Sequence, residues 1–166
     1  MANEAYTRTN QALFFARKAI ESWQQAESSN ALDALTQAQY HREHAVFHLY
    51  RGALALIHEV ADRYRWPLVD ARQVEAVLVP SVVQRFPGPE LAELTELADS
   101  NGTWLAGVIG AWQRLQAPPV PADSGAQSLI ASSAVATTEW SGSDAQEALQ
   151  ALSERVAAYR DGMQEW

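Results

Sequence analysis

The chain has 166 residues, 48% of them hydrophobic and 19% charged, with 12 basic against 20 acidic side chains for a formal charge of −8. Length favours one compact helical domain over residues 1–166, and the apolar content excludes wholesale disorder. No run nears the roughly 18–20 apolar residues that span a bilayer, and the absence of cysteine excludes disulfides, thiol catalysis and thiolate-bound metal.

The first segment, about 7–27, places Leu13, Ala16, Ile20 and Trp23 in 3-4-3 steps on one helical face. Phe14 and Phe15 widen that surface and are expected to pack on neighbouring helices. The opening MANEAYTRTNQALFFARKAI has no basic n-region, continuous apolar run or small-residue cleavage site, which points to the cytoplasm. A second helix is expected from about 31 to 65, capped by Asn30 with Asp33 in its first turn and stopped by Trp66-Pro67. It would form a central rod of about 50 Å. Its apolar face reads Val46, Leu49, Ala53, Leu56, Ile57, Val60 and Tyr64, and Gly52 would let another helix approach closely.

A short third helix over about 70–79 starts at Asp70 and is halted by Pro80, and residues 80–89 read as a proline-rich connector. Pro89 at a first helical position starts a fourth helix buried through Leu91, Leu94 and Ala98, and Asn101-Gly102 ends it. Thr103 caps a fifth, whose stripe is Leu105, Val108, Trp112 and Leu115. Gly107 and Gly110 inside it point to close packing more than to a phosphate cradle. Residues 117–126, with three prolines and a glycine, form an internal linker, and a short extended segment is expected near 128–137. Ser143-Asp-Ala-Gln146 matches a capping box for the last helix. Its seam of Leu149, Leu152, Val156, Tyr159, Met163 and Trp166 can pack inside the domain or on a second copy. Tyr159, Met163 and Trp166 are thus interface candidates. The sum is an all-α bundle of five or six helices. Its 30 alanines against four isoleucines agree with that class.

Charge is unevenly placed: residues 1–66 balance seven basic against seven acidic side chains, and the acidic excess belongs to the rest. A net charge of −8 disfavours nucleic acid and anionic lipid as partners. Lys18 is the only lysine, which excludes a P-loop, and no Gly-x-Ser-x-Gly elbow occurs.

One constellation stands out. His41, His44, His48, Arg51, Ala55, His58 and Asp62 follow 3-4 steps along the long helix and line one side of it, roughly opposite its apolar face. The simplest reading is a solvated, titratable face or a polar contact with a neighbouring helix. A metal reading would use His41, His44 and His48, since His44 and His48 have the i, i+4 spacing that presents two imidazoles to one ion. His58-Glu59-Val-Ala-Asp62 approaches the His-Glu-x-x-His zinc pattern but ends in aspartate. A ribonuclease reading would use Arg42 with His48 and Arg51 with His58, which fit the loose Arg-x(4–6)-His spacing of the HEPN ribonucleases. There, a histidine would move protons and an arginine would steady the phosphate. The bundle seams and the lack of a convergent catalytic set favour a non-enzymatic helical interaction protein. It would bind a protein partner or a second copy and need no cofactor.

The stretches MANEAYTRTNQALFFAR, HREHAVFHLYRGALALIHEVADRYRWP, GPELAELTEL, TWLAGVIGAW and YRDGMQEW together resemble an uncharacterised family of small, all-helical proteobacterial proteins. That resemblance implies a bacterial cytosolic setting. It carries over no catalytic residues.

Overall fold

The computed structural model describes residues 2–118 and 139–164. The extended segment expected near 128–137, all of the linker beyond Pro118, and Trp166 lie outside them. Among the described residues there is no strand, and seven helices follow in order. They are α1 (Ala2–Glu27), α2 (Ala34–Tyr64), α3 (Val74–Val77), α4 (Pro80–Arg85), α5 (Pro89–Asp99), α6 (Trp104–Gln116) and α7 (Gly142–Gln164). The fold is all-α, with α3 and α4 each under two turns.

α1 and α2 form an antiparallel hairpin. Gln11 meets Arg51 and Phe15 meets His48, so positions rise on one helix as they fall on the other. α7 lies along both, parallel to α2: Leu152 sits by Gly52, and Arg160 by Glu59. Gly52 makes the approach close, because a Cβ at that position would lie 2.9 Å from Leu152 Cδ2 and 3.6 Å from Ala12 Cβ. Three helices therefore close on one atom-poor point, the close approach expected from a mid-helix glycine. α2 also touches α3, α5 and α6, which makes it the central element.

The apolar stripes meet in one cluster. Ile20, Leu49, Leu56, Ile57, Leu91, Leu94, Leu105, Val108 and Leu152 are all essentially inaccessible. Burying a leucine or isoleucine in this way stabilises the fold by roughly 1.5–3 kcal/mol each before conformational entropy is counted. Trp140 closes one end, stacked on Trp23 with ring centroids 6.0 Å apart. Its pyrrole edge lies over Gly107, where a Cβ would be 3.6 Å from the indole nitrogen. At the opposite end Trp66 stacks on Tyr64 at 4.5 Å and covers Gly88.

Helix ends explain several boundaries. Thr103 caps α6 through its hydroxyl, which accepts from the Ala106 N–H at 3.2 Å, as expected. Asn30 does not cap α2. The helix starts at Ala34, and Asp33 beside it accepts from the Gln37 side chain instead of from a backbone N–H. Pro80 does not simply halt α3: it is the first residue of α4, where a proline lacks only an N–H that would have no helical partner. The capping box of α7 lies two residues earlier than expected. Ser141 Oγ accepts from the Asp144 N–H at 3.2 Å, while Asp144 Oδ2 accepts from the Ser141 N–H at 2.8 Å. Asp144 has the carboxylate that this reciprocal arrangement needs. α2 ends in a left-handed residue, Arg65 at φ 56°, and the Trp66 N–H turns back to Ala61 O at 2.8 Å.

Candidate functional site

The imidazole row does not lie opposite the apolar face of α2. It flanks that face, because α1 packs close beside it: His48, Arg51 and His58 meet α1 or the loop after α2, while the rings of His41 and His44 touch only residues of α2. Arg51 Nη2 donates to Gln11 Oε1 at 3.2 Å, one turn from the Phe15–His48 contact. His58 lines a cleft with Glu4, Ala5 and Arg8 of α1. His41, His44, His48 and His58 are all half-buried.

Around His48 the row merges with a band of aromatic rings. The His48 ring contacts Phe15 edge-on at 5.2 Å and Phe47 at 5.1 Å, with His44 at 6.3 Å. His44 leans on Tyr40 at 4.2 Å. Phe47 reaches Trp112 of α6 at 5.9 Å, and Trp112 stacks on Tyr50 at 4.6 Å. Phe14, Phe47 and Tyr40 are 52%, 43% and 54% exposed. Phe14 and Phe15 were expected against neighbouring helices. Only Phe15 finds such a contact, at its edge on His48, while Phe14 faces solvent over the ammonium of Lys18. The band is held firmly from below: the Tyr50 hydroxyl donates to Glu75 at 2.6 Å and accepts from the Val74 N–H at 3.0 Å. Burial and the Glu75 carboxylate push the Tyr50 pKa upward, so that hydroxyl stays a donor.

Burial is also the main influence on His48, lowering its pKa, and the nearby His44 and Arg51 act in the same direction. Its Nδ1 is buried and has no hydrogen-bond partner. The ring is thus a neutral, weakly polar member of the aromatic band at neutral pH.

His58 is different. Its Nε2 lies 2.8 Å from the Ala71 carbonyl, an acceptor only, so Nε2 carries the proton and Nδ1 is left as the acceptor. Burial lowers its pKa against the favourable pull of that carbonyl. The cleft beside it, about 170 Å³, lies between α1, α2 and the loop at Val69.

The other sequence candidates are scattered. Arg42 turns to the far side of α2, where Nε donates to Trp140 O at 3.2 Å and Nη1 pairs with Glu139 at 3.3 Å. It does not share a site with His48. His41, His44 and His48 spread over two turns with 6.3 Å between successive ring centres. Among the described residues no three histidine, aspartate or glutamate side chains come together as metal ligands. Tyr159 and Met163 are buried inside the bundle, so neither side chain is offered to a second copy. The Tyr159 hydroxyl donates to Glu93 Oε2 at 2.8 Å, and burial with that carboxylate raises its pKa. Missing from the sequence reading were Tyr40, one turn before His44, and Phe47, next to His48, both exposed on α2. Glu4 and Arg8 were missed too, although their i, i+4 spacing was visible.

These features define an all-helical bundle built on a long α1–α2 hairpin, with an exposed aromatic and imidazole band along it. No helix among the described residues is long and apolar enough to cross a membrane. The chain belongs to the family of unknown function DUF6586, whose model matches residues 1–166. No curated protein and no solved structure matches it.

Proposed function

We propose that this is a non-enzymatic helical interaction protein whose aromatic–imidazole band receives an apolar segment of a partner protein, flanked by carboxylates. The observation that carries this reading is the continuity of the band: Phe14, Phe47 and Tyr40 stand exposed around His44, His48 and Trp112. Exposed aromatic rings anchored on a rigid base are the residues that dominate protein interfaces. The charge at its rim supports an acidic partner. Arg17 and Arg51 have no carboxylate partner among the described residues, and Lys18 is offset by Glu21 alone. Residues 1–66 balance their charges while the remainder is acidic, so this flank is where carboxylates meet the least repulsion. The resemblance to small proteobacterial proteins supplies the setting assumed, the bacterial cytosol.

The test uses two synthetic amphipathic helices with the same Leu/Phe face, one flanked by glutamates and one by lysines, read by tryptophan fluorescence. The glutamate peptide is expected to bind at least about tenfold tighter, a difference of about 1.4 kcal/mol. Phe14→Ser/Phe47→Ser, at exposed positions, should abolish that binding without lowering the Tm. Equal or absent binding of both peptides would refute the reading. So would concentration-dependent self-association in sedimentation that vanishes in the same variant, because the band would then serve a second copy. Cleavage of structured RNA that is lost in His48→Ala/His58→Ala would replace it with an enzyme.

A further inference from the structure

Gly107 and Gly110 keep open a strip of α6 that no described residue fills. Glycine is a poor helix former, and Gly52 is accounted for by Leu152 seated against it. A Cβ at 107 would rest 3.6 Å from the Trp140 indole nitrogen, an ordinary contact, and one at 110 would meet only Nη1 of Arg114 on the same helix, also at 3.6 Å. Packing therefore tolerates alanine at both positions. Thr103, Gly107, Gly110 and Arg114 follow in 4-3-4 steps, so they form one stripe along α6. That stripe floors a cleft of about 370 Å³, whose opposite side is Trp140 with Asp144 and Glu147 of α7.

Trp140 points to a ligand there. Its ring is only 6% exposed, yet the indole N–H, which can only donate, has no hydrogen-bond partner among the described residues. Nor is that N–H sealed in, because among the described residues His48 Nδ1 is the only fully enclosed side-chain nitrogen or oxygen without a partner. It opens on the cleft across Gly107. The charges lining the cleft are Arg114, Glu139, Asp144 and Glu147. Glu139 is paired with Arg42 at 3.3 Å. Asp144 accepts from the Ser141 N–H and hydroxyl and sits in the first turn of α7, where the helix dipole offsets its charge. Arg114 and Glu147 remain, opposite in sign, each without an ion pair among the described residues. A simple anion drawn to Arg114 would meet Glu147, and a simple cation drawn to Glu147 would meet Arg114. A molecule carrying both charges satisfies both.

We infer that the cleft between α6 and the start of α7 binds a zwitterionic α-amino acid with an apolar side chain. Its carboxylate accepts from the Trp140 indole N–H and the Arg114 guanidinium, its ammonium group donates to Glu147, and its side chain lies against Trp104 and Ala106. This site is independent of the aromatic–imidazole band.

The full chain, labelled for NMR, is titrated at pH 7 with L-leucine, and in parallel with L-leucinamide, which lacks the carboxylate, and N-acetyl-L-leucine, which lacks the ammonium group. Leucine is expected to give a saturable shift of the Trp140 Nε1–H resonance, and each analogue to bind at least about tenfold more weakly. Gly107→Ala places a methyl group in front of that N–H and improves the helix, so it should abolish the shift with the Tm unchanged or raised. Arg114→Gln, at an exposed position, should weaken leucine binding at least about tenfold with the Tm unchanged. The inference fails if leucine produces no saturable shift, or if either analogue binds as tightly as leucine. It also fails if full affinity survives Gly107→Ala or Arg114→Gln, and the second is decisive even where the first disturbs α6.

Discussion

Arg160 of α7 holds Glu59 of α2 in a bidentate grip, Nε to Oε1 at 2.7 Å and Nη2 to Oε2 at 3.0 Å. The same guanidinium reaches α1, donating to Asn10 Oδ1 at 2.9 Å and stacking 3.8 Å from the centre of the Tyr6 ring. Three helices that are distant in sequence are thus registered by one planar cation. Lysine has the charge but lacks the fork.

Both side chains are largely buried, at 17% and 10% exposed, so removing one partner strands the other's charge. Arg160→Ala is expected to cost about 3 kcal/mol, with Arg160→Lys recovering only part. The double variant Glu59→Gln/Arg160→Met should be less destabilised than the sum of its single changes, because no unpaired charge remains. Urea unfolding of the four proteins measures this, and additive losses would show that the pair is not coupled.

Acidification should weaken the fold through His48 and His58. Both have their pKa lowered in the folded chain, chiefly by burial. The unfolded chain, with ordinary imidazoles near ~6.5, then binds more protons than the folded one as pH falls past that value. Stability is therefore full above about pH 7 and is lost progressively below ~6.5 until the folded-state groups are also protonated. The Tm should be lower at pH 5.5 than at pH 7.5, with a shallower dependence in His48→Gln and in His58→Gln. Slopes equal to wild type in both variants would place the proton-sensitive groups elsewhere.

Much of this arrangement is legible in the residue pattern, and most of the failures share a cause. The α2 face from Val46 to Val60 and the Thr103 cap follow from local spacing, and each depends on groups within a few turns or on burial alone. Side-chain partners across the hairpin do not. Periodicity places His48 and His58 on one stripe, but the register of α1 against α2 decides that one meets Phe15 and the other Arg8 and Glu4. The same holds for Tyr159: its stripe predicted burial against some helix, and only the fold selects α5, through Glu93, over a second copy. The capping box slipped for a different reason. Ser141 and Ser143 both precede an acceptor-bearing residue by three, and aspartate at 144, close to the chain, outcompetes the longer neutral Gln146.

Gly52 offers the most direct check on the three-helix junction. In an isolated helix, alanine would be better than glycine there by about 1 kcal/mol. A new Cβ, however, meets Leu152 Cδ2 at 2.9 Å, and Leu152 has no exposed surface through which to retreat. For Gly52→Ala the two effects oppose each other, and a small rotation of the leucine brings the net change near zero. Gly52→Val adds two more methyl groups against Leu152 and Ala12, with a stiff χ1, and should destabilise by about 1–3 kcal/mol. Leu152→Ala removes the obstruction at the cost of a cavity, so Gly52→Val should be less harmful in that background than in the wild type. Equal losses in both backgrounds, measured by denaturant unfolding, would mean that α7 does not seat on α2 at this point.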